Sequence, residues 1–470
     1  MMAFYADLWR LAAVAVVIAV AIGWFKWVKR KKSELRSWKE AGLCVSKSAA
    51  SGIVFGKDDR GNTVYSPAAN EGHCAVLGSS GCGKTSALLI PTLRAWTGNH
   101  TANNTAFAVD ISGDISSNVN CPNKLVFKPG NPETAPYNVF GVIDALPDND
   151  LKDEALAQLA LLLLPDDPNA SPTAKFWNGG ARKMLTAALI NHYHLGLDFN
   201  AICESIVGQS YVSLIDSLSL SENCTVLRYV MSFSGAKPDV LASFKAGCDD
   251  AVRLIGTNKK VGMSMRRPRP GELAITPAVL ETHNVFLVVP DDKLRLYAPM
   301  MSLITGQMLE YFSCRPNYSQ QGKILFALDE FASLKLDITD ALRKFRKKGI
   351  RIMICTQSLG DIDATLGIGA HKTLLNNFRH MAIMSVVDAD TQEYFARMIG
   401  REQKTKRSQT ARENHVVSET WSTEKDYIVE PTVLGRLGDD LLLLHPAGWS
   451  RLRKNYYFRS SPHTIKEDLT

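Results

Sequence analysis

The stretch Gly78-Ser79-Ser80-Gly81-Cys82-Gly83-Lys84-Thr85-Ser86 constrains this chain more than any other. It fits G-x-x-x-x-G-K-[ST], a loop whose glycines let backbone N–H groups curl inward toward phosphate oxygens. In such a loop Lys84 reaches the β- and γ-phosphates of a bound nucleotide, and Thr85 offers its hydroxyl to Mg²⁺. The flanks suit the motif. His73–Leu77 reads as a short buried strand, and Lys84–Thr97 as a helix whose positive N-terminal end faces the phosphates. Pro91 falls inside that helical pattern, so a break or kink is expected there.

A chain of 470 residues with 46% hydrophobic content can bury a large core and should hold more than one domain. Its net charge of +7 permits an anionic partner without demanding one. The nine cysteines contain no C-x-x-C pair, which argues for a reducing compartment rather than a disulfide framework. His192 and His194 are two apart and point to different faces of a helix, so no metal site of the protein's own is expected.

The N-terminus reads as a membrane segment. Leu11–Phe25 is free of charge, but as a helix it is only about 22 Å long, short of a ~30 Å hydrocarbon core. Extending it from Leu8 to Val28 gives about 31 Å, with Arg10 and Lys26 near the ends, where both can snorkel. Trp9, Trp24 and Trp27 sit at interfacial positions. Lys26, Lys29, Arg30, Lys31 and Lys32 crowd the C-terminal flank, which puts the bulk of the chain in the cytoplasm. A cleaved signal peptide carries its positive charges before the apolar run, and here they follow it. The expected anchor is 1–32, with one transmembrane helix over about 8–28.

Beyond the anchor, Gly52–Gly56 and Thr63–Tyr65 read as a hairpin around the polar turn Asp58–Asn62. Thr105–Val109 is a second strand, ending at Asp110-Ile111-Ser112-Gly113-Asp114. Acids at such a strand end lie at the ligand edge of a parallel sheet. Asp110 either contacts a metal-bound water or nucleotide, or caps a turn, and the sequence leaves both open. The segment 144–260 changes to helical periodicity with few strand-like runs and reads as an all-α insertion. Its helices are expected near Ala181–His192, Ala201–Val207, Tyr211–Leu218 and Val240–Ile255. Arg266, Arg267 and Arg269 cluster after it and are candidates for contact with nucleic-acid phosphates, or form an ordinary solvated loop.

The α/β pattern then returns. Asn284–Val289 is a strand, and a helix is expected from Pro299 through Tyr311. Lys323–Leu328 is an apolar strand ending in Asp329-Glu330, the expected partner of a phosphate loop. Asp329 would hold Mg²⁺ through water and Glu330 would polarise the attacking water. Arg343–Gly349 is a basic helix end. The strand Arg351–Cys355 leads to Gln357, which either senses the γ-phosphate or is a hydrogen-bonded loop amide. Further on come a strand over His380–Val387, a helix over Asp388–Ile399 and a polar hairpin over Arg401–Asp426. A short helix at Pro431–Leu437, strands at Asp440–Leu444 and Tyr456–Phe458, and a loose tail after Pro462 complete the chain.

Taken with these motifs, the chain resembles the type IV secretion coupling proteins of the TraG/TraD family, which are related to the FtsK/HerA phosphate-loop ATPases. The resemblance rests on Gly78–Thr85 followed by Leu89–Leu93, on Asp110–Asp114, and on Phe176-Trp177 with Ala181-Arg182. It rests further on Val288-Val289-Pro290, Ala298-Pro299, Leu328-Asp329-Glu330-Phe331-Ala332-Ser333-Leu334 and Thr356-Gln357-Ser358. It implies an α/β fold: a RecA-like ATPase domain with a predominantly parallel sheet over 33–143 and 261–470, and an inserted all-α domain over 144–260. It implies ATP and Mg²⁺ as ligands, a homo-hexameric ring and a place in the bacterial inner membrane, which the one segment over about 8–28 would cross in a single pass. The implied partners are single- or double-stranded DNA, with an attached relaxase, and the subunits of a type IV secretion channel. It also implies that an arginine acts in trans on the neighbouring site, with Arg346 first and Arg351 and Arg60 as alternatives.

Two departures stand out: one membrane helix where many members have two, and Ser112-Gly113-Asp114 where members often have Lys-Gly-Glu. An FtsK/HerA-like translocase in segregation or packaging would share every motif. A coupling protein for protein effectors only, or a nucleotide-gated receptor without turnover, also remains open.

Overall fold

A computed structural model describes residues 37–49, 51–98, 103–167, 169–318, 321–412 and 415–460. The membrane helix expected over about 8–28 and the tail after Pro462 lie outside them. Among the described residues no helix is long and apolar enough to cross a membrane.

The strands in chain order are β1 (Cys44–Ser46), β2 (Gly52–Lys57), β3 (Thr63–Pro67), β4 (His73–Leu77), β5 (Thr105–Ile111), β6 (Lys124–Phe127) and β7 (Asn284–Val289). They continue with β8 (Ile324–Leu328), β9 (Ile350–Thr356), β10 (Phe378–Ile383), β11 (Arg401–Arg412), β12 (His415–Tyr427), β13 (Asp440–His445) and β14 (Gly448–Arg453). Twelve of them form one sheet in the order β1-β3-β2-β14-β13-β10-β4-β9-β8-β5-β7-β6, and β11 and β12 pair separately as the hairpin. The run from β10 to β6 is parallel throughout. The wing from β13 to β1 is antiparallel.

Composition explains the parallel block. β4, β5, β7, β8 and β9 are buried at every position, as strands covered on both faces must be. Alternation divides their side chains between two cores. Leu77, Phe107, Val109, Phe326, Leu328 and Ile354 face the helix Leu294–Ser313 and the helical insertion. Val76, Ala108, Leu325, Ala327, Met353 and Cys355 face the helix Ile90–Thr97 through Leu93 and Trp96.

Several elements differ from expectation. The helix expected to begin at Pro299 begins at Leu294 and carries Pro299 inside it. The ring removes one N–H from the ladder there, and the burial of Tyr297, Met300, Met301 and Ile304 on the sheet outweighs that loss. The strand expected at Tyr456–Phe458 is a 3₁₀ turn, Tyr457–Ser460, and the last strand is β14, paired along its length with β13. β1 and β6 are too short to show a period.

Between β6 and β7 the chain is helical, over Asn149–Leu163, Pro172–His194, Phe199–Gly208, Tyr211–Ser219, Cys224–Met231, Pro238–Thr257 and Lys259–Ser264. Asp148, Ser171, Asp198, Ser210, Asn223 and Asn258 each accept from a first-turn N–H and cap six of these starts. Where the helical run leaves and rejoins the sheet, Tyr137 and Ile275 form a parallel bridge. Arg266 and Arg267 reinforce this junction. Arg266 makes a two-pronged contact with Glu272 at 2.6 and 2.7 Å. Arg267 bonds Asp144 at 2.9 Å and lies over Phe140, 5.1 Å from the ring centre. These two guanidiniums are thus engaged within the chain and do not form a solvated loop.

Two adjacent glycines in the helix Pro172–His194 give opposite expectations. A Cβ at Gly180 would lie 2.1 Å from Phe244, whose ring is held by Phe176, Trp177 and Phe233. A Cβ at Gly179 would meet nothing within 4 Å. Gly180→Ala should therefore destabilise the chain by about 1–3 kcal/mol through overpacking, while Gly179→Ala should stabilise it by about 0.5–1 kcal/mol. Urea unfolding of both variants checks the pair of signs.

Candidate functional site

The phosphate loop emerges from β4 between its two parallel neighbours. Gly78 N–H donates to the Thr356 carbonyl at the end of β9 (3.1 Å), and Ser79 N–H to the Ser385 carbonyl beyond β10 (2.8 Å). Gly78 is obligatory by close approach, since a Cβ there would lie 2.6 Å from the Cys82 sulfur and 2.9 Å from Met384. Gly83 has φ +95, in the left-handed region that favours glycine.

Helix formation begins at Lys84, but the first turns, Lys84–Leu89, are π-type, and α geometry starts at Ile90. Ile90 N–H reaches back to the Thr85 carbonyl, five residues earlier. Pro91 has no N–H to give Ala87, and the wider turn relieves its ring against the preceding carbonyl. The break expected at Pro91 is thus found as a change of helix type just before it.

The loop opens on a cavity of about 310 Å³ lined by Ser80, Gly81, Gly83, Lys84, Thr85, Ser86, Ile90, Asp114, Glu330, Tyr457 and Phe458. Lys84 is buried, and its ammonium donates to the Gly78 carbonyl at 2.7 Å and the Ser79 carbonyl at 3.2 Å. Thr85 Oγ1 donates to Asp329 Oδ2 at 3.1 Å, joining the loop to the end of β8. Gln357 Nε2 lies 3.4 Å from both carboxylate oxygens of Glu330. The order β4-β9-β8 puts the strand carrying Gln357 between the loop strand and the acidic strand. Glu330 takes φ +46 and ψ +51, a left-handed conformation costing about 1–2 kcal/mol for a residue with a Cβ. That turn ends the strand and carries the Glu330 side chain to the cavity.

Asp110 does not reach the cavity. It is fully buried and accepts from Ile115 N–H (3.0 Å) and Ser116 N–H (2.6 Å), so it caps the short helix Asp114–Asn118. Exposed Asp114 is the acid of that loop that lines the cavity. Ser112 and Gly113 make the turn, both with positive φ. Arg346 lies apart. It precedes β9, at the edge where the parallel strands begin, and its guanidinium is 3.7 Å from Glu71. The seven residues of β9 span about 23 Å between that edge and the phosphate loop's. Arg351 is fully buried and donates to the carbonyls of Gly72 (2.7 Å) and Pro67 (3.0 Å), which makes it structural. Arg60 lies in the β2–β3 turn. Tyr457 and Phe458 escaped sequence reasoning as site residues because an aromatic triplet reads as a strand.

Fold and loop together define an α/β phosphate-loop protein. The sequence matches the family described as type IV secretory system conjugative DNA transfer over residues 30–215. It matches the TraM recognition site of TraD and TraG over 323–439. No curated protein matches it. The fold is similar to that of the bacterial conjugative coupling protein TrwB in its unbound form, with 18% identity, 82% of this chain and 86% of that chain covered, and a TM-score of 0.60. TrwB in complex with the ATP analogue ADPNP, and with ADP and Mg²⁺, each give 19% identity, coverage of 82% and 85%, and a TM-score of 0.59. At these identities the likeness to TrwB is one of fold. The two family matches, over separate parts of the chain, go further and support a conjugative coupling protein of type IV secretion.

Asp329 gives the site a pH signature. Burial, and then the neighbouring Glu330 carboxylate, push its carboxyl up from 3.8 to about 6. The folded chain holds that proton more tightly than the unfolded chain does. Stability from this group is therefore complete below about 4 and is lost as pH rises through about 6. Asp329→Asn should flatten that window and stabilise the ligand-free chain at pH 7 by up to about 3 kcal/mol. Denaturant midpoints at pH 4.5 and 7, for parent and variant, check the sign.

Proposed function

We propose that this protein is an ATPase that couples DNA, or DNA carrying a protein, to a type IV secretion channel and drives its transfer by hydrolysing ATP. The observation that carries the reading is that Lys84, Thr85 and Glu330 line one phosphate-loop cavity, with Asp329 bonded to Thr85 and Gln357 beside Glu330, all from three neighbouring strand ends. TrwB, similar in fold, has been solved with ADPNP and with ADP and Mg²⁺.

The residues present fit both ligands. Thr85 and Asp329 offer a hydroxyl and a carboxylate 3.1 Å apart, the oxygen donors a hard cation takes. When bound, Mg²⁺ would neutralise charge on the phosphates. Lys84 would exchange its carbonyl partners for phosphate oxygens, and the inward N–H groups of 80–85 would cradle the rest. Glu330 would orient water and accept its proton, and Gln357, touching that carboxylate, would report whether the γ-phosphate is present.

The wider reading adds a membrane anchor at 8–28, a hexameric ring and channel subunits as partners. Arg346 stands at the sheet edge opposite its own chain's loop, paired with Glu71, and a cation placed so could complete a neighbour's site in a ring. Binding to DNA would rest on backbone phosphates and weaken with salt.

ATP turnover by the full chain with and without single-stranded DNA tests the proposal. We expect turnover that DNA stimulates; none in either case would end it, and turnover indifferent to DNA would favour protein cargo. Lys84→Ala should abolish turnover and keep the fold. Glu330→Gln should bind ATP but hydrolyse it at least ~100-fold more slowly, and parental rates would remove Glu330 as the base. For the trans arginine, Arg346→Ala and Lys84→Ala proteins should each be inactive and should recover part of the activity on mixing. Co-assembly without recovery would exclude Arg346.

A further inference from the structure

The last described turn, Tyr457–Ser460, is fastened against the phosphate loop, and nothing in the chemistry above uses it. Tyr457 and Phe458 line the same cavity as Lys84 and Glu330. Ile90, one helical turn beyond Ser86, is on the lining with them. The turn is held from both sides. Asp439 accepts from Arg459 at 3.0 Å and from the Tyr456 hydroxyl at 3.3 Å, and its carbonyl accepts from Lys454 N–H at 2.8 Å. The Arg459 guanidinium also lies over the Tyr456 ring at 4.5 Å. On the other side the Arg94 guanidinium lies over Tyr457, 5.0 Å from its centre. The approach to the loop is close, since a Cβ at Gly83 would be 3.1 Å from the Tyr456 ring.

So the cavity has two chemical ends. One is lined by Ser80, Gly81, Gly83, Lys84, Thr85 and Ser86 of the phosphate loop, suited to a polyanion. The other is Ile90 and two aromatic side chains, one of them, Phe458, 58% exposed. An inorganic polyphosphate has no use for the second end. A nucleotide has a flat π face at the distance of a sugar from its phosphates, and ring stacking binds it without reading its edges.

We infer that Tyr457 and Phe458, whose rings stand nearly perpendicular, form a wall for the base of the nucleotide whose phosphates bind at 78–86, with the exposed Phe458 ring as its stacking face. The inference rests on the nucleotide reading above and adds the base subsite to it. The Arg94 contact fixes the Tyr457 ring, and the Asp439 contacts fix the turn, so the wall is built before the ligand arrives and little ordering is left for binding to do.

Calorimetric titration of the full chain with ADP and with pyrophosphate separates the two readings. The parent should bind both. Phe458→Ala, at an exposed position, should weaken ADP by about 5- to 100-fold, the range of base–aromatic stacking, and leave pyrophosphate within about twofold. Phe458→Trp, which keeps a π face, should restore ADP. Unchanged ADP affinity in Phe458→Ala, or a parallel loss of pyrophosphate, would overturn the stacking wall and leave the nucleotide reading standing. A parent that binds neither ligand would overturn that reading and the wall with it.

Discussion

Two backbone hydrogen bonds hold the phosphate loop after its strand has ended, and the site depends on them. Gly78 N–H and Ser79 N–H continue the ladder of β4 by one bond to each flank, onto Thr356 and Ser385. A parallel sheet makes this possible because its central strands all finish at one edge. The residue after Thr356 is Gln357, and one strand further on the pair Asp329-Glu330 stands at the same edge. A shift of one residue between β4 and β9 would turn alternate side chains to the wrong core and would also break the Gly78 contact. Burial of five strands on both faces fixes the register, and the register places the chemistry.

The site carries costs that the sheet must offset. Asp329 is 5% exposed with a second carboxylate next to it, and Glu330 holds a left-handed backbone. Both features oppose folding, by about 3 kcal/mol at most for the first and about 1–2 kcal/mol for the second. Lys84 and the Thr85 hydroxyl, both reached from the loop, favour the charged form of Asp329 and oppose the shift. The arrangement is what a binding site for a cation requires: carboxylates held in place ahead of the charge that offsets them.

Much of this was legible in the sequence, because the strongest features are local. Phosphate-loop glycines, apolar runs ending in Asp329-Glu330 and the capping Asp388 each act within a few residues. What escaped depends on how the chain turns and on what it packs against. Asp110 stands at a strand end like any ligand-edge acid, but the chain bends back so that Ile115 and Ser116 claim its oxygens. Arg266 and Arg267 looked like solvated charge, yet Asp144, over a hundred residues earlier, and Glu272 neutralise them at the junction. Pro299 suggested a helix start, because only the packing of the preceding turn against the sheet shows that the helix is already under way.

The aromatic wall could not be read locally, yet the sheet's directions require that it fall near the loop. β10 runs parallel to β4, β13 antiparallel to β10, and β14 antiparallel to β13. Two reversals restore the original direction, so β14 ends at the edge where β4 ends. Its last residue, Arg453, pairs with Asp440 at the start of β13, beside the Asp439 that anchors the turn. A chain leaving that edge has a few residues in which to cross to the first turns of the phosphate-loop helix, and Tyr456, Tyr457 and Phe458 are those residues. A single hairpin fewer in the antiparallel wing would have delivered them to the opposite edge, where Arg346 lies. The even number of reversals thus joins the end of the chain to the motif near its beginning.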